Sequence, residues 1–191
     1  MEHVMKFPDY PYVIEKIKGV IHQMARPATN HIKTGANLSF LFMRHFWGRE
    51  CEFFPEIDVR LGENSVSPDA CVVCDLSKVN DMRIVGAPDL VIEILSPSTK
   101  KKDEKDKFQL YEEHLVREYW LVDPKSGSVQ IWVLSDENKF VLTTTVAFIS
   151  EDEKEKLREH NYDHLIIEEF TSTIFPDLTI QLSELFDYLV K

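Results

Sequence analysis

Gly86-Ala87-Pro88-Asp89-Leu90-Val91-Ile92-Glu93-Ile94-Leu95-Ser96-Pro97-Ser98-Thr99 is a short apolar run between turn residues, broken by a single carboxylate. Leu90 to Leu95 has the length and branched composition of a strand covered on both faces. A charge inside such a strand needs a reason. Burying an ionised group without a partner costs several kcal/mol, so Glu93 must be paired, protonated or bound to a metal.

Working outward, the segment from Ser98 or Thr99 to Leu115 is charged on one side and apolar on the other, and Arg117 to Val122 returns as a strand. This is a strand, helix, strand unit. Asp123-Pro124-Lys125-Ser126-Gly127 reads as a turn into a second arm, Val129 to Val133. Upstream, Pro68-Asp69 leads into Ala70 to Cys74, apolar on both faces and suited to a central strand. Shorter strands are expected at Cys51 to Phe54 and Ile57 to Leu61. Tyr12 to Ile17 and Val20 to Met24 flank Lys18-Gly19 as a hairpin. Leu38, Leu41, Phe42 and His45 recur at helical spacing along Thr34 to Trp47, with Thr29 or Asn30 as cap. Strands at Val141 to Ala147, Leu165 to Phe170 and Leu178 to Ile180, then a helix from Leu182 or Ser183 to Leu189, complete the chain. The expected fold is α/β (α+β), a central mixed β-sheet flanked by helices, in one domain over residues 1–191.

The chain can bury a sizeable core, since 43% of its 191 residues are hydrophobic. It has neither a membrane-length apolar stretch nor the start of a signal peptide, so a soluble, cytoplasmic protein is expected. Cys51, Cys71 and Cys74 then read as small hydrophobes in a reduced core, because one Cys-x-x-Cys pair on a strand lacks the second half of a zinc site. A net charge of −11 excludes a protein that coats nucleic acid non-specifically, though not one with a local basic site. The mixed-charge run Glu151 to Lys156 reads as a solvated turn or helix face.

Asp89 shares a strand face with Glu93 but lies on the order of 13 Å away, too far to share a metal. It reads as a turn residue. Asp69 is the better partner for Glu93 if the two apolar strands pair. Two carboxylates with a backbone carbonyl such as that of Ile94 would make an oxygen-rich site suited to Mg2+ or Mn2+. At 100° per residue Lys107 falls in the apolar stripe with Leu110, Tyr111 and Leu115. There its ammonium would position water or stabilise phosphoryl charge. Lys100, Lys101, Lys102 and Lys105 would meet solvent or a phosphate backbone. Structural readings stand beside these: Glu93 with Lys107 as a buried ion pair, Asp103 with Lys107 as an i,i+4 pair, and His31 as a capping or packing residue as well as a substrate or metal contact. Tyr119, Trp120 and Trp132 read as core.

The runs Pro68 to Val73 and Gly86 to Thr99, then Asp103, Lys107 and Tyr111, then Glu118 to Pro124, closely resemble the Uma family of bacterial restriction-endonuclease-like proteins. The likeness extends to the N-terminal hairpin, His31, Asp58 to Leu61 and Phe175 to Leu178. It implies a PD-(D/E)XK nuclease fold and Mg2+-dependent (or Mn2+-dependent) hydrolysis of DNA phosphodiesters. By that resemblance Asp69 and Glu93 are the metal ligands, and Lys107 is the lysine that the superfamily usually carries where this chain has Leu95. From their residue types and places in the chain, His31 and Lys100 to Lys102 are the expected substrate contacts, and a homodimer would suit double-strand cleavage. Where many relatives have an acid after the hairpin glycine, this chain has Val20. The rival expectation is therefore a weakened or inactive nuclease-fold protein acting as a binding module.

Overall fold

The computed structural model describes residues 14–23 and 26–186. The expected hairpin is present as β1 (Ile14–Ile17) and β2 (Val20–Gln23); Tyr12, Val13 and Met24 lie outside the described residues. Lys18 and Gly19, both at positive φ, form a two-residue turn whose twist matches that of the strands. Next come α1 (Thr29–Phe46), β3 (Glu52–Pro55), β4 (Val59–Leu61), β5 (Asn64–Val66), β6 (Ala70–Val73), β7 (Ile84–Val85) and β8 (Leu90–Ile94). Then follow a π-helical stretch Lys102–Lys107 running into α2 (Phe108–Glu113), β9 (Glu118–Asp123), β10 (Ser128–Leu134) and β11 (Phe140–Ala147). The remainder is α3 (Glu151–Glu159), β12 (Glu169–Thr171), β13 (Thr179–Gln181) and α4 (Leu182–Phe186).

Among the described residues the strands form three sheets. A six-stranded sheet has the order β11-β10-β9-β8-β6-β3, a five-stranded one the order β2-β1-β5-β4-β7, and β12 pairs with β13. Both larger sheets are mixed, with β8–β9 and β4–β7 parallel. The parallel pair β8–β9 is the strand, helix, strand unit read from Glu93's neighbourhood. Alternation along β8 divides the core. Leu90, Ile92 and Ile94 pack with Leu38, Phe42 and Phe46 of α1 and with α4, while Val91 and Leu95 pack with Leu110 and Tyr111 of α2 and with Val59 and Leu61 of β4. Glu93 therefore points towards α2 and the second sheet.

Several expectations are corrected. The cap of α1 is Ala28, with no side-chain hydrogen bond, because the helix begins at Thr29 and leaves neither Thr29 nor Asn30 at the capping position. Cys51 and Cys74 are joined in a disulfide, and only Cys71 is a free, buried thiol. The reason is register: β3 pairs antiparallel with β6, Glu52 opposite Val73, which sets Cys51 across from Cys74. The charged run is helical, one of the two readings expected of it: it is the start of α3, opened by a Ser150–Glu153 capping box. Of Leu165 to Phe170 only the end is strand, since Asp163–Leu165 forms a 3-10 turn. Tyr119 and Trp120 are buried, whereas Trp132 is only partly so.

Candidate active site

Four elements meet at Glu93. The β6–β8 register places Ala70 opposite Ile92, and one residue further sets Asp69 across from Glu93 on the same face. Asp69 is held there by two bonds: its Oδ2 accepts from the Ile94 backbone N–H at 2.6 Å, and its Oδ1 lies 3.1 Å from His31 Nε2 in the first turns of α1. Glu93 is 2% exposed and Lys107 is 0% exposed. The Lys107 ammonium donates to Glu93 Oε1 at 2.8 Å, and Tyr111 donates its hydroxyl to the same oxygen at 2.8 Å.

Glu15 is the group that sequence reasoning missed. It is fully buried on β1, where Oε1 lies 2.7 Å from Lys107 Nζ and accepts from the Ser67 backbone N–H, while Oε2 accepts from Lys102. The signal was available in the alternation of Ile14-Glu15-Lys16-Ile17, which puts Glu15 on the face of buried Ile17. Val20 is exposed at the turn, and the acid this hairpin contributes to the cluster comes from the preceding strand.

The π-helical stretch explains a second correction. In an α-helix residues five apart are separated by about 140°, which would send Lys102 outward when Lys107 faces in. Bonding from i to i+5, as from the Phe108 N–H to the Asp103 carbonyl, brings such residues towards one face. Lys102 therefore turns inward onto Glu15 and does not face solvent. Asp103 is also drawn in, 3.7 Å from Lys107, and its buried Oδ1 has no hydrogen-bond partner. Lys100 pairs with Asp123 and Glu104 at the surface, and Lys101 is exposed. Asp89 serves as a latch outside the cluster, accepting from the Cys74 N–H and from Arg117.

Glu15, Asp69, Glu93 and Asp103 thus surround Lys102, Lys107 and His31. Burial pushes the Glu93 carboxyl well above the usual range, against the pull of Lys107, and burial likewise raises Asp103. For Lys107 burial works downward, yet Glu93, Glu15 and Asp103 together hold its ammonium above the ordinary lysine value. Burial would raise Glu15 too, but Lys107 and Lys102 bring it below its ordinary value. The cluster sets four carboxyl groups against two lysines and His31. Asp69 and His31 line a cleft of about 320 Å3 together with Arg26, Ser67, Ser96, Ser98 and Thr99, and neither Glu93 nor Lys107 is among its lining residues.

Among the described residues, no three His, Cys, Asp or Glu side chains form a ready metal cage. Mg2+ does not require one: it keeps several waters and is commonly held by one or two carboxylates plus substrate phosphate. The carboxyl oxygens of Asp69 and Glu93, and the buried Asp103 Oδ1, which accepts no hydrogen bond, are hard donors of the kind that set uses.

The architecture is a mixed α+β fold with an acid and lysine cluster between its two main sheets. It matches the crystal structure of "a putative nuclease belonging to DUF820" from Anabaena variabilis with a TM-score of 0.70 at 21% identity, covering 96% of this chain and 95% of that one. The Uma2 family, described as "Putative restriction endonuclease", matches residues 4–161, and the chain belongs to that family. Two Synechocystis relatives are uncharacterised proteins. One, slr1290, is 30% identical over 132 residues, 67% of this chain and 70% of the relative. The other, sll1609, is 30% identical over 136 residues, 68% of this chain and 76% of the relative. No helix among the described residues is long and apolar enough to cross a membrane.

Proposed function

We propose that this protein is a Mg2+-dependent (or Mn2+-dependent) endonuclease that hydrolyses DNA phosphodiester bonds in the cleft above Asp69. The observation that carries the reading is the approach of Asp69 and Glu93 from neighbouring strands: Asp69 Oδ2 accepts from the N–H of Ile94, next to Glu93, and Lys107 donates to Glu93. Asp69 and Glu93 would hold the ion, with the Ile94 carbonyl as a further oxygen. When bound, the metal supplies Lewis-acid stabilisation of phosphoryl charge and lowers the pKa of water.

The chain's own residues do the rest. The Ile94 N–H and His31 fix the orientation of the Asp69 carboxylate, so little reorganisation is needed when charge develops. Glu15 and Tyr111 hold Lys107 and Glu93 in one geometry, and Lys107, fully buried, keeps a proton and a positive charge against Glu93. His31, lining the cleft, is placed to donate to a phosphate oxygen. Lys101 and Lys100 lie on the surface nearby in sequence and offset the negative field of the chain; Lys102, committed to Glu15, acts by positioning.

A binding module without catalysis is the second reading, favoured by the burial of Lys107 between two carboxylates, an arrangement that also serves as a structural ion pair. One experiment separates them. Mg2+ and Mn2+ are titrated calorimetrically into the full chain and into Asp69→Asn and Glu93→Gln, and nicking of supercoiled DNA is followed in parallel. The nuclease reading expects metal binding and nicking in the parent, with both falling by about 100-fold or more in each variant. No heat at millimolar metal and no nicking supports the module.

A further inference from the structure

Helix α1 has two apolar faces, and only one is used by the fold. Leu38, Leu41, Phe42 and Phe46 are buried against the six-stranded sheet and α4. On the other side Ile32, Ala36, Phe40, Met43 and Trp47 follow one another at steps of four, four, three and four residues, within an arc of about 80° at 100° per residue. All five are exposed, Phe40 by 63% and Trp47 by 87%. A continuous stripe of this kind marks an interface more often than it marks bare surface.

We propose that this stripe binds the same stripe of a second copy of the chain, forming a two-fold dimer through antiparallel α1 helices. Three observations favour that occupant. The stripe can pair with itself: about an axis beside Phe40, Ile32 comes opposite Trp47 and small Ala36 opposite Met43, so apolar side chains meet apolar side chains along its length. Its four large side chains leave on the order of 500 Å2 of apolar surface open, or about 1,000 Å2 across the pair, which meets the lower limit for a biological interface and suits a weak, reversible dimer. And α1 contains no Asp or Glu, in a chain with 33 of them, so the two copies meet without acid facing acid. Arg44, its guanidinium 5.4 Å from the Phe40 ring centroid and 3.7 Å from Glu184 at the edge, supplies a polar rim. The pairing also sets the two His31 residues on the order of 25 Å apart along the helix axes, one cleft to each side.

The test requires neither metal nor DNA and so stands apart from the nuclease assay. Sedimentation velocity of the full chain over about 1 to 100 µM is expected to show reversible dimerisation. Phe40→Asp with Trp47→Glu is expected to weaken it at least tenfold with unchanged circular dichroism. Mild oxidation of Phe40→Cys is expected to give dimers linked through residue 40, while Glu159→Cys, far from the stripe, gives none. A chain that stays monomeric throughout, whether residues 1–13 or a nucleic acid covers the stripe instead, overturns the proposal. So does a Phe40→Asp/Trp47→Glu chain that dimerises like the parent.

Discussion

Lys107 has three carboxylates within 4 Å and no contact with solvent, so its removal strands buried negative charge. Lys107→Met is therefore expected to lower the unfolding free energy by about 3–5 kcal/mol in urea melts. Adding Glu93→Gln and Glu15→Gln should restore part of the loss, because the penalty comes from uncompensated acids and not from the missing methylenes. His31 gives a different signature. Burial lowers its basicity, but the hydrogen bond to Asp69 and the charges of Asp69, Glu56 and Asp103 raise it above the ordinary histidine value overall. The folded state thus favours the protonated ring. Its stabilisation is complete below about pH 6.5 and is lost as pH rises through the folded value. In chelator, the stability difference between the parent and His31→Gln should shrink as pH rises from about 6 to about 8.5. A difference that grows over that range would contradict the assigned Asp69 contact.

At the scale of elements, the disulfide and the π-helical stretch are the features that periodicity does not reveal. Cys51–Cys74 ties edge strand β3 to β6, whose start carries Asp69, over a sequence separation of 23. Reduction, or Cys51→Ser, is expected to cost about 3 kcal/mol of stability, with free thiols rising from one to three by denatured Ellman titration of the reduced chain. If reductant leaves the unfolding midpoint unchanged, the two sulfurs are not joined in the folded protein. The amphipathic pattern of residues 98–115 correctly placed Lys107 inward, because the apolar stripe of Leu110 and Tyr111 sets that face under either winding. Lys102 was misplaced because a constant 100° turn was assumed where the chain widens. Glu15 was overlooked because four residues of strand give a weak alternation signal, and its partners lie more than 50 positions away.

For the whole molecule, the balance of charge governs how nucleic acid is met. With a net charge of −11, binding to DNA should be negligible in EDTA at physiological salt. Non-cleaving divalent ions such as Ca2+ should restore it in gel shifts, and Asp69→Asn should abolish the metal effect. Binding in EDTA that is as strong as in Ca2+ would point to a basic surface outside the cleft. The sequence alone determined what local physics can specify: the apolar strands, the faces of the helices, the parallel unit around β8, and the oddity of a carboxylate at Glu93. Only tertiary structure decided which distant residues meet it. Strand register joined Cys51 to Cys74 and set Asp69 beside Glu93, and the approach of a second sheet delivered Glu15. Pairing between strands depends on long-range packing, which leaves no periodic trace in the residues that come together.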